Sequence, residues 1–81
     1  MTISVLYFAH FQDCAGASSE TLNIAEGSTV GDLARAIEER HRLTAGFLAC
    51  GRASVNVEFV DGTFILSQGD EVAWMPPMSG G

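Results

Sequence analysis

Residues 28–42, S-T-V-G-D-L-A-R-A-I-E-E-R-H-R, carry the clearest pattern in this 81-residue chain. Val30, Leu33, Ala34 and Ile37 fall at i, i+3, i+4 and i+7, which gives one apolar stripe on an amphipathic helix of about three turns. Thr29 with Asp32 three residues later predicts a capping box, with Asp in place of the longer Glu. Asp32 near the start and Arg40-His41-Arg42 near the end complement the helix dipole. A helix with a single apolar stripe must cover another layer, and the rest of the chain reads as strands.

Residues 3–8, I-S-V-L-Y-F, are β-branched, aromatic and apolar on both faces, which suits a central strand. Residues 10–16, H-F-Q-D-C-A-G, form a connector with room for a helical turn, closed by Gly16. Residues 19–25 alternate Thr21 and Asn23 against Leu22 and Ile24, a half-buried second strand. Residues 54–60 alternate Val55, Val57 and Phe59 against Asn56 and Glu58, which predicts a third strand. Asp61-Gly62 is a turn signal, and residues 63–66 are expected to return as a short fourth strand. Residues 71–75 form the last strand, stopped by Pro76. The stretch 45–53 is apolar and glycine-bearing and receives no role.

This order, two strands, a helix and then more strands, predicts an α+β domain. The first and last strands lie side by side in the centre of a mixed four- to five-stranded sheet, and the one main helix packs across it. That architecture is the β-grasp, or ubiquitin-like, fold; a ferredoxin-like fold would need a second helix, which the pattern does not offer. The expected organisation is a domain over residues 1–75 and a flexible Gly-Gly-bearing tail over residues 76–81.

Composition narrows the function. The net charge is −6, with four arginines and no lysine, so there is no basic face for nucleic acid or an anionic membrane. No segment approaches the roughly 18 apolar residues of a membrane span, and the N-terminus lacks a signal-peptide pattern; the expected location is cytoplasmic. Cys14 and Cys50 are too far apart for a C-x-x-C pair, and are read as reduced thiols, with a single disulfide as the alternative. His10 and His41 lack the thiol or carboxylate partners of a metal site. Asp70 and Glu71 are adjacent in a strand and point to opposite faces, so they cannot share acid–base work. No metal, no resident cofactor and no catalytic residue is expected.

The tail is where chemistry remains. The chain closes on W-M-P-P-M-S-G-G. Pro76-Pro77 favour an extended course away from the sheet, and glycines without a Cβ can thread a narrow channel and approach a nucleotide closely. A carboxylate on Gly81 would be unhindered. Around the tail's exit a partner needs apolar contact, and Phe11, Trp74 and Met75 are the candidates; for Trp74, burial in the core is equally open.

Taken with the helix opening G-S-T-V-G-D-L, Val55-Asn56 and the closing G-D-E-V-A-W-M-P-P-M-S-G-G, the chain resembles the MoaD-type sulfur carriers, the small subunits of molybdopterin synthase, over its whole length. The resemblance implies that Gly81 is adenylated by a ubiquitin-activating-like adenylyltransferase using Mg-ATP. A sulfur donor, such as a cysteine desulfurase or rhodanese-like protein, then converts it to a thiocarboxylate. Pro76, Pro77, Met78, Ser79 and Gly80 would thread the partners' active sites, and sulfur would pass to a pyranopterin precursor in the large subunit, within a heterotetramer. Met78 stands where family members usually carry valine. Two other readings stay open: a related ubiquitin-like carrier or protein modifier (thiamine, cysteine or tRNA thiolation), and an inert β-grasp interaction module.

Overall fold

The computed structural model describes residues 1–76. Five strands and two helices alternate as β1 (Thr2–Tyr7), α1 (His10–Ala15), β2 (Ser19–Asn23), α2 (Val30–Arg40), β3 (Arg52–Val55), β4 (Glu58–Val60) and β5 (Glu71–Met75). A 3-10 turn at Phe47–Cys50 lies between α2 and β3. The sheet order is β2-β1-β5-β3-β4. β1 and β5 pair in parallel, and the other pairs are antiparallel. The first and last strands are therefore neighbours in the centre of a mixed sheet, as the two-sided apolarity of β1 predicts, with α2 as the main helix.

Helix α2 begins as its sequence dictates. The Thr29 hydroxyl accepts from the Asp32 N–H at 3.1 Å, and Asp32 accepts from the Thr29 N–H at 2.9 Å. Such a cap contributes about 1 kcal/mol. Val30, Leu33 and Ile37 turn inward onto Ile3, Val5, Tyr7, Val55, Val72 and Trp74, all buried. Each large apolar side chain fully buried in this way contributes about 1.5–3 kcal/mol.

One element extends the sequence expectation and two differ from it. The connector after β1 is a six-residue helix, α1, closed by Gly16 in the left-handed conformation (φ 74°); glycine adopts that region without a Cβ clash. The strand expected over residues 54–60 is a hairpin: Asn56 and Val57 have φ of 49° and 69° and turn β3 into β4. Positive φ at both central residues is the signature of a type I′ turn. Alternation runs unbroken through V-N-V-E-F, so periodicity alone cannot show the break. Residues 63–66 form no strand; only an isolated Thr29–Ile65 bridge ties them to the start of α2.

Among the described residues no helix is long and apolar enough to cross a membrane. Cys14 and Cys50 are both exposed and free.

Candidate functional site

Pairing register divides the sheet into two faces. Ile3, Val5, Tyr7, Val72, Trp74, Ala53 and Val55 belong to the helix-covered face and are buried. The intervening residues form the opposite face. Across it, Leu6 stands beside Ala73, Ala73 beside Ser54, and Ser54 beside Phe59. In the adjoining row Arg52 stands beside Met75, and the Phe8 N–H continues the ladder to the Trp74 carbonyl at 3.0 Å. Phe8 is 46% exposed and Phe59 54% exposed; Leu6 and Met75 are half-buried. The result is an apolar surface on the central strands, at the end of the sheet where β5 stops.

The end of β5 is held by close packing beneath it. Gly51 lies so near the strand that a Cβ there would meet the Met75 carbonyl oxygen at 2.6 Å and the Phe11 ring at 2.6 Å. No side chain fits in that space, so α1, the start of β3 and the end of β5 converge through one glycine. Phe47 packs edge-on to Phe11, ring centroids 5.7 Å apart. Met75 is half-buried above this junction, and Pro76 follows it as a half-buried residue outside the strand.

The sequence candidates fall into three groups. Met75 and Pro76 lie at the exit of the last strand. Phe11 and Trp74 are 1% and 2% exposed: both are packed in the core, so neither side chain offers surface to a partner, and for Trp74 the core alternative is the one observed. Pro77, Met78, Ser79, Gly80 and Gly81 lie outside the described residues. Phe8, Phe59 and Arg52 were not singled out from the sequence. Phe59 was legible as a strand residue, but the face it occupies depends on the two-residue hairpin that reverses the chain. Phe8 lies one residue beyond β1, where alternation assigns a face but not its exposure.

Charge near the site is sparse. Arg52 places its guanidinium carbon 4.2 Å from the centroid of the Phe59 ring, a cation–π contact. Both residues also rim a groove of about 470 Å³ between α2 and the β3–β4 hairpin, floored by Val30, Ala34, Leu48 and Trp74. Asp61, at the groove's edge, accepts hydrogen bonds from the Thr63 side chain and N–H, which hold its carboxyl below the usual carboxylate range.

A second polar cluster ties α2 to the sheet. Glu20 on β2 accepts from the Tyr7 hydroxyl at 2.6 Å and from His41 Nε2 at 2.5 Å, and its other oxygen meets Arg40 Nε at 2.7 Å. Burial pushes the Glu20 carboxyl up, but the hydrogen bonds from Tyr7 and His41 and the charges of His41 and Arg40 outweigh it and hold the group below its ordinary value. The Tyr7 hydroxyl moves the other way, raised first by burial and then by its bond to the Glu20 carboxylate. These groups are joined to one another and none faces the apolar surface, so the cluster is a structural clasp. Among the described residues no three His, Cys, Asp or Glu side chains are placed to hold a metal ion.

Residues 5–81 match the model of the ThiS family. Over the whole of both chains, this protein is 35% identical to a molybdopterin synthase sulfur carrier subunit of Chlamydomonas reinhardtii. Among solved structures, a putative molybdopterin converting factor subunit 1 of Pyrococcus furiosus superposes with a TM-score of 0.84 at 28% identity, covering 96% of this chain and 99% of that one. The fold also matches, with a TM-score of 0.68 at 21% identity and full coverage of both chains, a protein–protein complex of subunits 1 and 2 of molybdopterin-converting factor from Helicobacter pylori.

Proposed function

Since the chain belongs to the ThiS family, we propose that it is a sulfur carrier of molybdenum cofactor biosynthesis, the small subunit of a molybdopterin synthase. The observation that carries this reading is the full-length identity to a curated relative of that name. The β-grasp domain supports it: a central strand ends at Met75 beside an apolar face, and P-P-M-S-G-G follows.

In this reading the domain is a handle and Gly81 is the reacting residue. Its carboxylate is adenylated by a ubiquitin-activating-like enzyme with Mg-ATP, and sulfur from a donor protein displaces AMP to leave a thiocarboxylate. Pro76, Pro77, Met78, Ser79 and Gly80 carry that group into the large subunit, where sulfur passes to the pyranopterin precursor. The face built from Leu6, Phe8, Phe59 and Met75 docks on the large subunit and sets where the tail enters. Apolar and aromatic side chains are what the core of such an interface uses, and the acidic chain suits a partner with a basic surround.

The test follows the terminal carboxylate. Intact mass of the protein from cells holding the activating machinery is expected to show one oxygen replaced by sulfur, and deletion of Gly81 is expected to abolish molybdopterin formation. An unmodified mass, with cofactor production unaffected by the deletion, would remove the carrier role. A thiocarboxylate form that yields no molybdopterin with large subunit and precursor would leave a carrier of another pathway.

A further inference from the structure

Two of the four arginines are committed to carboxylates within the chain. Arg35 Nη2 meets Asp32 at 2.6 Å, and Arg40 Nε meets Glu20 at 2.7 Å. Arg42 stands beyond the end of α2, in a shallow groove with Arg35, Glu38 and Glu39. Arg52 differs from all three. It is exposed, it lies beside Met75 in the sheet, and its guanidinium stacks on the exposed Phe59 ring. Among the described residues it forms no salt bridge, although the chain carries ten acidic residues.

In water this arrangement is inexpensive, because the stacked guanidinium keeps its edge hydrated. Docking changes that. A surface that covers Phe59 and Met75 also covers the cation lying on Phe59, and an unpaired charge is strongly disfavoured out of water. The guanidinium, its carbon 4.2 Å from the ring centroid, meets no carboxylate among the described residues, so its N–H groups are left for an acceptor from outside. A carboxylate is the group that matches this fork with two parallel hydrogen bonds.

We infer that Arg52 is a specificity-determining residue of the docking face, and that the partner presents an Asp or Glu carboxylate to it from within an apolar surface. The inference rests on the docking role proposed above and adds to it the chemistry that the partner must display. A partner that offered only apolar groups would strand the cation, so the same residue that rewards the cognate surface penalises a merely greasy one.

The experiment measures binding of the full-length chain to the purified large subunit of molybdopterin synthase from the same organism, as a function of salt. Arg52→Met keeps a long stem over Phe59 and removes the charge. It is expected to weaken binding ten-fold or more, because the partner's carboxylate is left buried and unpaired, and to flatten the salt dependence. Arg52→Lys keeps the charge but loses the fork, and is expected to fall between the two. The sign decides the matter: without a partner carboxylate, Arg52→Met removes a desolvation penalty, and affinity equal to or above wild type overturns the inference. Should Arg52→Met fail to fold, wild-type affinity in Arg52→Lys overturns it in its place. Wild-type chain that does not bind the large subunit at all removes the docking role itself, and this inference with it.

Discussion

Val57 breaks a rule that a single side chain seldom breaks. It is β-branched, 90% exposed, and held at φ 69° in the hairpin turn. That region crowds the Cβ of an L-residue by about 1–2 kcal/mol, and asparagine followed by glycine is the pair that this turn prefers. Asn56 satisfies the first position and also fastens the hairpin to β5: its side chain donates to Asp70 at 3.0 Å and accepts from the Glu71 N–H at 3.1 Å. Val57 has no such compensation. Val57→Gly removes the strain and returns part of the gain as unfolded-chain entropy, roughly 0.5–1 kcal/mol. The net expected is a melting temperature higher by about 2–6 °C, read by circular dichroism. An unchanged or lower midpoint would mean that the turn is relaxed with valine in place. The tip lies at the start of β5, the opposite end from Met75, so large-subunit binding should not move.

At the scale of elements, what the sequence disclosed depended on whether burial had a period. Helix α2 and strands β1 and β2 repeat at 3.6 or 2 residues against one buried face, while β5, buried at three successive residues, was marked by the turn before it and Pro76 after it; all four were legible. The 3-10 turn and its loop were not, because their order comes from a side chain that sequence assigns to solvent. Glu38, in the charged run E-E-R-H-R, is only 4% exposed. Its carboxylate accepts from the Gly46 N–H at 3.1 Å and the Leu48 N–H at 2.9 Å, so α2 supplies the partners that the segment after it cannot supply for itself. That segment carries Leu48 into the core and Gly51 to the underside of β5. Glu38→Gln keeps the shape but sets an NH₂ against one of two backbone donors. A loss of about 2 kcal/mol is expected from urea melts, with faster hydrogen exchange at Gly46 and Leu48 in particular. Exchange there equal to wild type would show that the loop holds its shape without the carboxylate. The candidate site divides in the same way: Met75 was proposed from its place at the end of the last strand and Pro76 from the tail motif, whereas Phe59 and Arg52 needed the hairpin and the faces that it sets.

For the molecule as a whole, charge and fold pull in opposite directions as the solution is acidified. The net charge is −6 at neutral pH and the sequence pI is about 4.5, so lowering the pH first relieves self-repulsion. Against that gain stands the loss of carboxylates that the fold holds below their ordinary values. Asp32 is lowered by the Thr29 N–H and by Arg35, and Asp61 by Thr63, but both are exposed and act locally. Glu20 is the one that joins two layers, gripping β1 through Tyr7 and the end of α2 through Arg40 and His41. Its folded-state value lies below its unfolded one. The stability it contributes is therefore complete above the unfolded carboxylate pKa, about 4.3, and is lost as pH falls through the lower, folded value. Glu20→Gln removes that term alone. At pH 7 the variant should be less stable by about 1–2 kcal/mol. The gap should narrow below about pH 4, as protonation makes the wild-type side chain neutral too. Asp32 and Asp61 titrate alike in both proteins and cancel in the difference. A gap that stays constant from pH 7 down through the acid limb would mean that shape, and not the charge on Glu20, fastens the helix to the sheet.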